Sequence, residues 1–239
     1  MKEFYLKPIS NKRFEEYLSK LQGGTKGDLI LPISGFNPMA KGHIIEKIEE
    51  LEAIGAEQII ENVIEEINLN KEDSKENKFE VVLNLADDFK GGWTNHYSTD
   101  FDSKFKINAL ISRNFCTPYF WTSENYTEQS IKLRTKEYLN RTLYWLNGSK
   151  PKTLENHLEQ EIYAIKNSID ETYSENYSNF NVIANYYTEN QKSEEYHLIF
   201  NFLYGDIACE NLGYKQYGLE DRAGLKYAKH LALKRKTTA

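Results

Sequence analysis

Cysteine is scarce in this chain. Only Cys116 and Cys209 occur in 239 residues. They lie far apart, with no CxxC spacing and no histidine at zinc-finger spacing, so neither a disulfide framework nor a structural zinc site is expected. Reduced thiols in a cytoplasmic compartment fit this usage. No apolar run approaches the roughly 18 residues of a membrane span. The first residues, Met1 to Ile9, carry Lys2, Glu3 and Lys7 and lack the apolar core of a signal peptide. A basic excess is also missing: 30 Lys and Arg face 36 Asp and Glu, for a net charge of −6. That balance gives no overall attraction to nucleic acid or to an anionic membrane surface. Internal repeats, low-complexity tracts and proline- or glycine-rich linkers are absent, and so are the Walker A and GxGxxG phosphate patterns.

What is present is an ordinary globular balance, 40% hydrophobic and 28% charged, in a chain long enough to bury a sizeable core. Helical stripes are frequent. Phe14, Tyr17, Leu18 and Leu21 share one face, with Asn11 as the expected N-cap and Gly23-Gly24 as the stop. Ile44, Ile45, Ile48 and Leu51 form a second stripe ending near Gly55, and Ile59, Ile60, Val63, Ile64 and Ile67 form a third. Beyond Glu124 the pattern is mostly helical, with Pro151 expected to open one helix and a last helix over 219–234.

Between these stripes the grammar changes. Phe79 to Leu85 (FEVVLNL) is short and apolar on both faces, as suits a strand covered on both sides in a parallel sheet. Leu29 to Ile33 is a weaker candidate, interrupted by Pro32, and Pro118 to Trp121 is another, with proline at its tolerated first position. Phe105 to Ile111 leans to helix, and 181–187 (NVIANYY) fits either a strand or a short helix. Strands separated by helices favour right-handed parallel crossovers. The expected fold is therefore α/β and helix-rich: a small, mostly parallel sheet of three or four strands flanked by helices. One domain over 1–239 is expected, with a sheet-containing core over 1–150 and a helical addition over 151–239.

Parallel sheets bind ligands outside the carboxyl ends of their strands. This places a site among three loops: Ser34 to His43, Ala86 to Asp102, and Thr122 to Asn125. The second is the densest in reactive types. Asp87 and Asp88 follow the strand directly, and Lys90, Gly91-Gly92, Trp93, Asn95 and His96 come after them. A histidine beside carboxylates serves as an acid/base near neutral pH, oriented by a carboxylate. Alternatively, the carboxylates hold a divalent metal through their oxygens. The candidate catalytic residues are His96, Asp87 and Asp88. The candidate substrate-binding residues are Asn37, Lys90, Trp93, Asn95, Arg113, Ser123 and Glu124, with Lys90 and Arg113 neutralising substrate charge and Trp93 stacking on a flat group. The competing reading of each is plain: aspartates cap turns, and Arg113 forms a surface ion pair.

Two function classes follow. One is a small-molecule enzyme, a hydrolase or group transferase, acting on an anionic, ring-containing substrate. The other is a non-catalytic protein-interaction protein whose Trp93, Tyr97, Tyr119 and Trp121 form an exposed aromatic patch. Burial separates them. Nucleic-acid binding has only the basic last helix in its favour. His157 with Glu161 has helical ligand spacing but no third ligand and reads as a surface pair, and the Glu-x-x-His unit of di-iron bundles, Glu194 with His197, occurs once with no second copy. The acidic stripe Glu57, Glu61, Glu65 reads as a solvated face.

Overall fold

The computed structural model describes residues 2–22, 32–33, 35–69, 78–89, 94–148, 150–169 and 180–237. The chain divides into two compact units. The first comprises 1–103 with 107–135, and the second 104–106 with 136–239. The boundary falls inside a helix, upstream of residue 150, where Asn147-Gly148 ends that helix. The helix Glu128–Asn147 runs through the division.

The protein is helix-rich, with a small parallel strand content. In chain order the first unit holds α1 (Lys2–Leu6), α2 (Asn11–Gln22), α3 (Gly42–Ile54), α4 (Ala56–Leu69), β1 (Glu80–Val81), β2 (Asn84–Ala86), most of α5 (His96–Phe105), α6 (Asn108–Ile111), β3 (Phe115–Cys116), β4 (Tyr119–Trp121) and the start of α7 (Glu128–Asn147). Helix α3 stops where the stripe ends. Gly55 takes the left-handed conformation, φ 75°, and its N–H caps the carbonyls of Leu51 and Glu52. For α2 the expected cap is corrected by one residue: Asn11 is already helical, and Ser10 accepts the bond from the Arg13 N–H. The expected stop at Gly23-Gly24 lies outside the described residues.

The strands form one parallel ladder in two pieces. Glu80 pairs with Phe115 and Val81 with Cys116; Asn84, Leu85 and Ala86 pair with Tyr119, Phe120 and Trp121. The offset is the same in both pieces. Val82 N–H bonds the Cys116 carbonyl, Asn84 N–H bonds that of Pro118, and Thr122 N–H bonds that of Ala86. The interruption falls at Pro118, which has no N–H to return to the partner strand. Of the candidate strand at 29–33, Leu29 to Leu31 lie outside the described residues, and Pro32 and Ile33 are irregular. Segment 181–187 falls in a helix, and 105–111 is helical apart from a break at Lys106 and Ile107.

Both ladder faces are covered, as the apolar run required. Leu85 and Phe120 join Phe36, Ile44, Leu51 and Ile131 in a buried cluster. On the other face Asn84, Ala86 and Trp121 are also buried. Gly35 passes close there: a Cβ on it would stand 3.1 Å from the Asn84 side-chain oxygen and 3.3 Å from Ala86 Cβ. The outer stripe Glu57, Glu61, Glu65 is exposed on α4, as a solvated face should be.

Beyond α7, the second unit is helical among its described residues: α8 (Leu154–Lys166), α9 (Asn181–Asn190), α10 (Tyr196–Asn211) and α11 (Ala223–Thr237). Pro151 does not open α8. Thr153 does, in a reciprocal capping box with Asn156. Helix α11 begins at Ala223 rather than Leu219 and presents Gly224, Ala228 and Ala232 one turn apart, with both alanines fully buried. A side chain at Gly224 would strike the Phe202 carbonyl of α10. The basic end of α11 is spent internally. Arg235 grips Glu159 bidentately, and Lys236 donates to the Ile169 carbonyl.

His157 and Glu161, expected on the surface, are both buried. Glu161 receives Arg141 Nε at 2.7 Å and Nη2 at 2.6 Å, and His157 Nδ1 meets the Thr153 carbonyl at 2.8 Å. Burial pushes the Glu161 carboxyl upward, but Arg141 outweighs it and holds the group below its ordinary value. The pair is fixed in its charged form. Glu161→Gln should therefore destabilise the chain by roughly 3–5 kcal/mol, because it leaves the buried guanidinium with only the half-buried Glu137 carboxylate, at 3.3 Å, as its ion partner. Urea denaturation of the full chain measures this; a change under 1 kcal/mol would contradict it.

Candidate functional site

The ladder ends in two consecutive carboxylates. Residue alternation and the register place Leu85, Phe120 and Thr122 toward one face, and Ala86, Asp88 and Trp121 toward the other. Asp87 and Asp88 continue that alternation at the carboxyl end of the strand. Each receives one histidine.

His96 reaches Asp88. Its Nδ1 stands 2.5 Å from Asp88 Oδ2, and its ring stacks on Trp121 with centroids 4.2 Å apart and planes inclined by 29°. The expected loop over 86–102 is corrected here, because it becomes helical at residue 96. His96 is the first residue of α5, and Tyr97, Phe101 and Phe105 form its i, i+4, i+8 stripe. The polar residues between them hid that stripe in the sequence. Asn95 stands just before the helix and accepts the Ser98 N–H at 3.1 Å through its side-chain oxygen. Asn95 thus caps the helix that carries His96.

His43 reaches Asp87. Its Nε2 lies 3.0 Å from Asp87 Oδ1, and it rides on the first turn of α3. Asn37 donates to Asp87 Oδ2 at 2.8 Å and accepts the Met39 N–H, which folds the loop over the carboxylate. Thr94 closes the other side through two bonds to the Asp87 carbonyl.

Thr122 stands between the two pairs. Its Oγ1 is 3.2 Å from Asp87 Oδ1 and 3.1 Å from Asp88 Oδ1, and it accepts the Asp88 N–H. One hydroxyl proton is shared between two carboxylates. Ser123 completes the cradle, donating Oγ to Asp88 Oδ2 at 2.7 Å and its N–H to Oδ1 at 3.0 Å. The carboxylate side chains are 1% and 4% exposed, while the His43 and His96 side chains are 34% and 22% exposed. The anchors are therefore dry and the imidazoles reach solvent.

Burial pushes the Asp88 carboxyl upward, yet the bonds from His96 and Ser123 together outweigh it and hold the group below its ordinary value. Among the described residues, no three His, Cys, Asp or Glu side chains gather to hold a metal ion.

Of the expected site residues, His96, Asp87, Asp88, Asn37 and Ser123 meet in this cluster, and Asn95 supports it. Lys90 and Trp93 lie outside the described residues. Glu124 is engaged elsewhere, pairing with Arg134 at 2.6 Å and accepting the Tyr126 hydroxyl at 2.9 Å. Lys47 ties this connection to α3 through the Glu124 carbonyl. Arg113 is exposed beside the Phe115 ring at the start of the ladder, nine residues before Thr122 and at the end of the strand away from it. Cys116 is buried at that same end. His43 and Thr122 are the residues that the spacing did not assign to the site. The signal for His43 was its place in the loop leading into a helix, on the expected ligand side of the sheet. A cleft of about 660 Å³ opens elsewhere in this unit, over Leu83 and Leu85 between α1 and α3, and its described lining contains neither histidine.

The chain matches no protein-family model, no curated protein and no solved structure. The chemistry of the cluster has to be read from its geometry.

Because Asp88 is held below its ordinary value of 3.8, it contributes stability above that pH and loses it as pH falls through the lowered folded value. Wild type should therefore exceed Asp88→Asn in stability at neutral pH, and the gap should narrow below about pH 3.8. A urea-denaturation series across pH checks this. A gap of constant size would contradict the assignment.

Proposed function

We propose that this chain is a small-molecule enzyme, a hydrolase or group transferase, acting on an anionic, ring-containing substrate at the carboxyl end of its strands. The observation that carries the reading is the His96–Asp88 pair. A buried carboxylate holds Nδ1, fixing the neutral ring in the tautomer whose lone pair is on Nε2, while Ser123 and Thr122 fix the carboxylate. His96 is the general acid/base, and Asp88 positions it. Trp121, flat beneath the ring, restricts its rotation.

The α/β arrangement belongs to the same reading. The two halves of the ladder are joined by a stretch that includes α5 and α6, in keeping with a parallel crossover. The substrate is anionic in this proposal because two imidazoles face it, and Lys90 adds charge from the same connection. A cytoplasmic setting fits two buried cysteines, Cys116 and Cys209, that form no disulfide with each other. No described helix is long and apolar enough to cross a membrane.

The alternative, an interaction protein with an exposed aromatic patch, requires exposed rings. Tyr119 and Trp121 are 8% and 1% exposed, which removes two of its four members.

General acid/base catalysis contributes about 10²–10⁴-fold to a rate. His96→Gln should lower kcat by that factor on any ester the wild type turns over from a panel of aryl phosphates, nucleotides and sugar phosphates, with melting temperature and circular dichroism retained. Unchanged turnover in a folded His96→Gln protein would contradict the assignment.

A further inference from the structure

The second histidine has a counterpart's geometry and an unexplained setting. His43 is held through Nε2 where His96 is held through Nδ1, and its carboxylate is drier than Asp88, at 1% exposure. Its ring stands edge-on to Phe89, with centroids 5.7 Å apart. Phe89 is 48% exposed and Met39, four residues before His43, is 43% exposed. Large exposed apolar side chains are few among the described residues, and these two sit in the loops that carry Asn37 and the carboxylates. Scattered exposed hydrophobics need no explanation, but a pair beside a cluster of reactive groups marks where an apolar group is received.

We propose that His43, held by Asp87, is a second catalytic residue of this site and serves the leaving-group side of an anionic ester whose leaving group is aromatic and rests on Phe89 and Met39. The inference depends on the reading of His96 as the acid/base. The two histidines are fixed to opposite faces of one strand end by consecutive residues, and Thr122 joins their anchors. One ring can therefore take a proton while the other gives one. For a phosphodiester, His96 Nε2 removes the proton of an attacking water. The new P–O bond forms as the P–O bond to the aryl oxygen breaks, and protonated His43 delivers its Nδ1 proton to that departing oxygen. The products are a phosphomonoester and a phenol. Proton exchange with solvent then returns His96 to its neutral form and His43 to its protonated form.

Leaving-group dependence tests this. Methyl phenyl phosphate leaves as a basic phenoxide and needs an acid, whereas methyl 4-nitrophenyl phosphate leaves as a stable anion and needs none. On the full chain, His43→Gln should slow the phenyl ester by about 10²–10⁴-fold and the 4-nitrophenyl ester by less than about tenfold, while His96→Gln slows both. Retained turnover of the nitrophenyl ester itself shows that the His43 variant is folded. Phe89→Ala should raise KM for both aryl esters and leave the ratio of their kcat values unchanged. Equal loss on both esters, or loss on neither, in His43→Gln would overturn the role of His43 and leave His96 standing. A wild type that cleaves neither ester would overturn the ester-cleavage reading on which the role rests.

Discussion

Consecutive residues of an extended strand point to opposite faces, and at the end of β2 those residues are both carboxylates. Everything at the candidate site follows from that constraint. A buried carboxylate without partners is costly by several kcal/mol, so each aspartate has to be met on its own side. On one side α3 supplies His43 and the preceding loop supplies Asn37; on the other, α5 supplies His96 and the end of β4 supplies Ser123. Thr122, at the end of the paired strand, touches both anchors. The register of the ladder sets this meeting. A slip of one residue would carry Asp88 to the face of Leu85 and Phe120, away from His96.

The rest of the first unit can be read as support for this end of the strand. Pro118 interrupts the ladder but the register continues past it, so the three-residue pairing of β2 with β4 holds Asp87, Asp88 and Thr122 together. Helix α3 packs its apolar face into the cluster around Leu85 and Phe120, which fixes where its first turn, and hence His43, must lie. The Lys47, Glu124, Tyr126 and Arg134 contacts brace the connection from β4 to α7. The second unit solves a different problem with the same chemistry: its buried Arg141 and Glu161 are kept charged by each other rather than by solvent.

Much of this was legible in the sequence where side-chain periodicity is clean. The stripe from Ile44 to Leu51 ends at Gly55 because only a residue tolerant of positive φ closes the helix there. The two-faced apolar run before Asp87 reads as a covered parallel strand, and its carboxyl end leads to Asp87, Asp88 and His96. Three things were not legible. Helix α5 was masked by the polar residues between Tyr97, Phe101 and Phe105. The pairing of His43 with Asp87 spans 44 residues, and no local pattern encodes such a contact. Arg113 and Glu124 fit the chemistry by residue type, but the ladder's direction puts one at its opposite end and an ion pair with Arg134 occupies the other. Burial also reversed a reading: His157 and Glu161 have the spacing of a surface pair and form part of a core.

Two adjacent carboxylates hold two histidines by different ring nitrogens. Long-range ¹H–¹⁵N correlation of the imidazoles at a pH where both are neutral measures it directly. Opposite tautomers are expected, His96 carrying its proton on Nδ1 and His43 on Nε2, with Asp88→Asn disturbing the His96 pattern alone. The same tautomer in both rings, or the rapidly averaged shifts of unrestrained imidazoles, would contradict it.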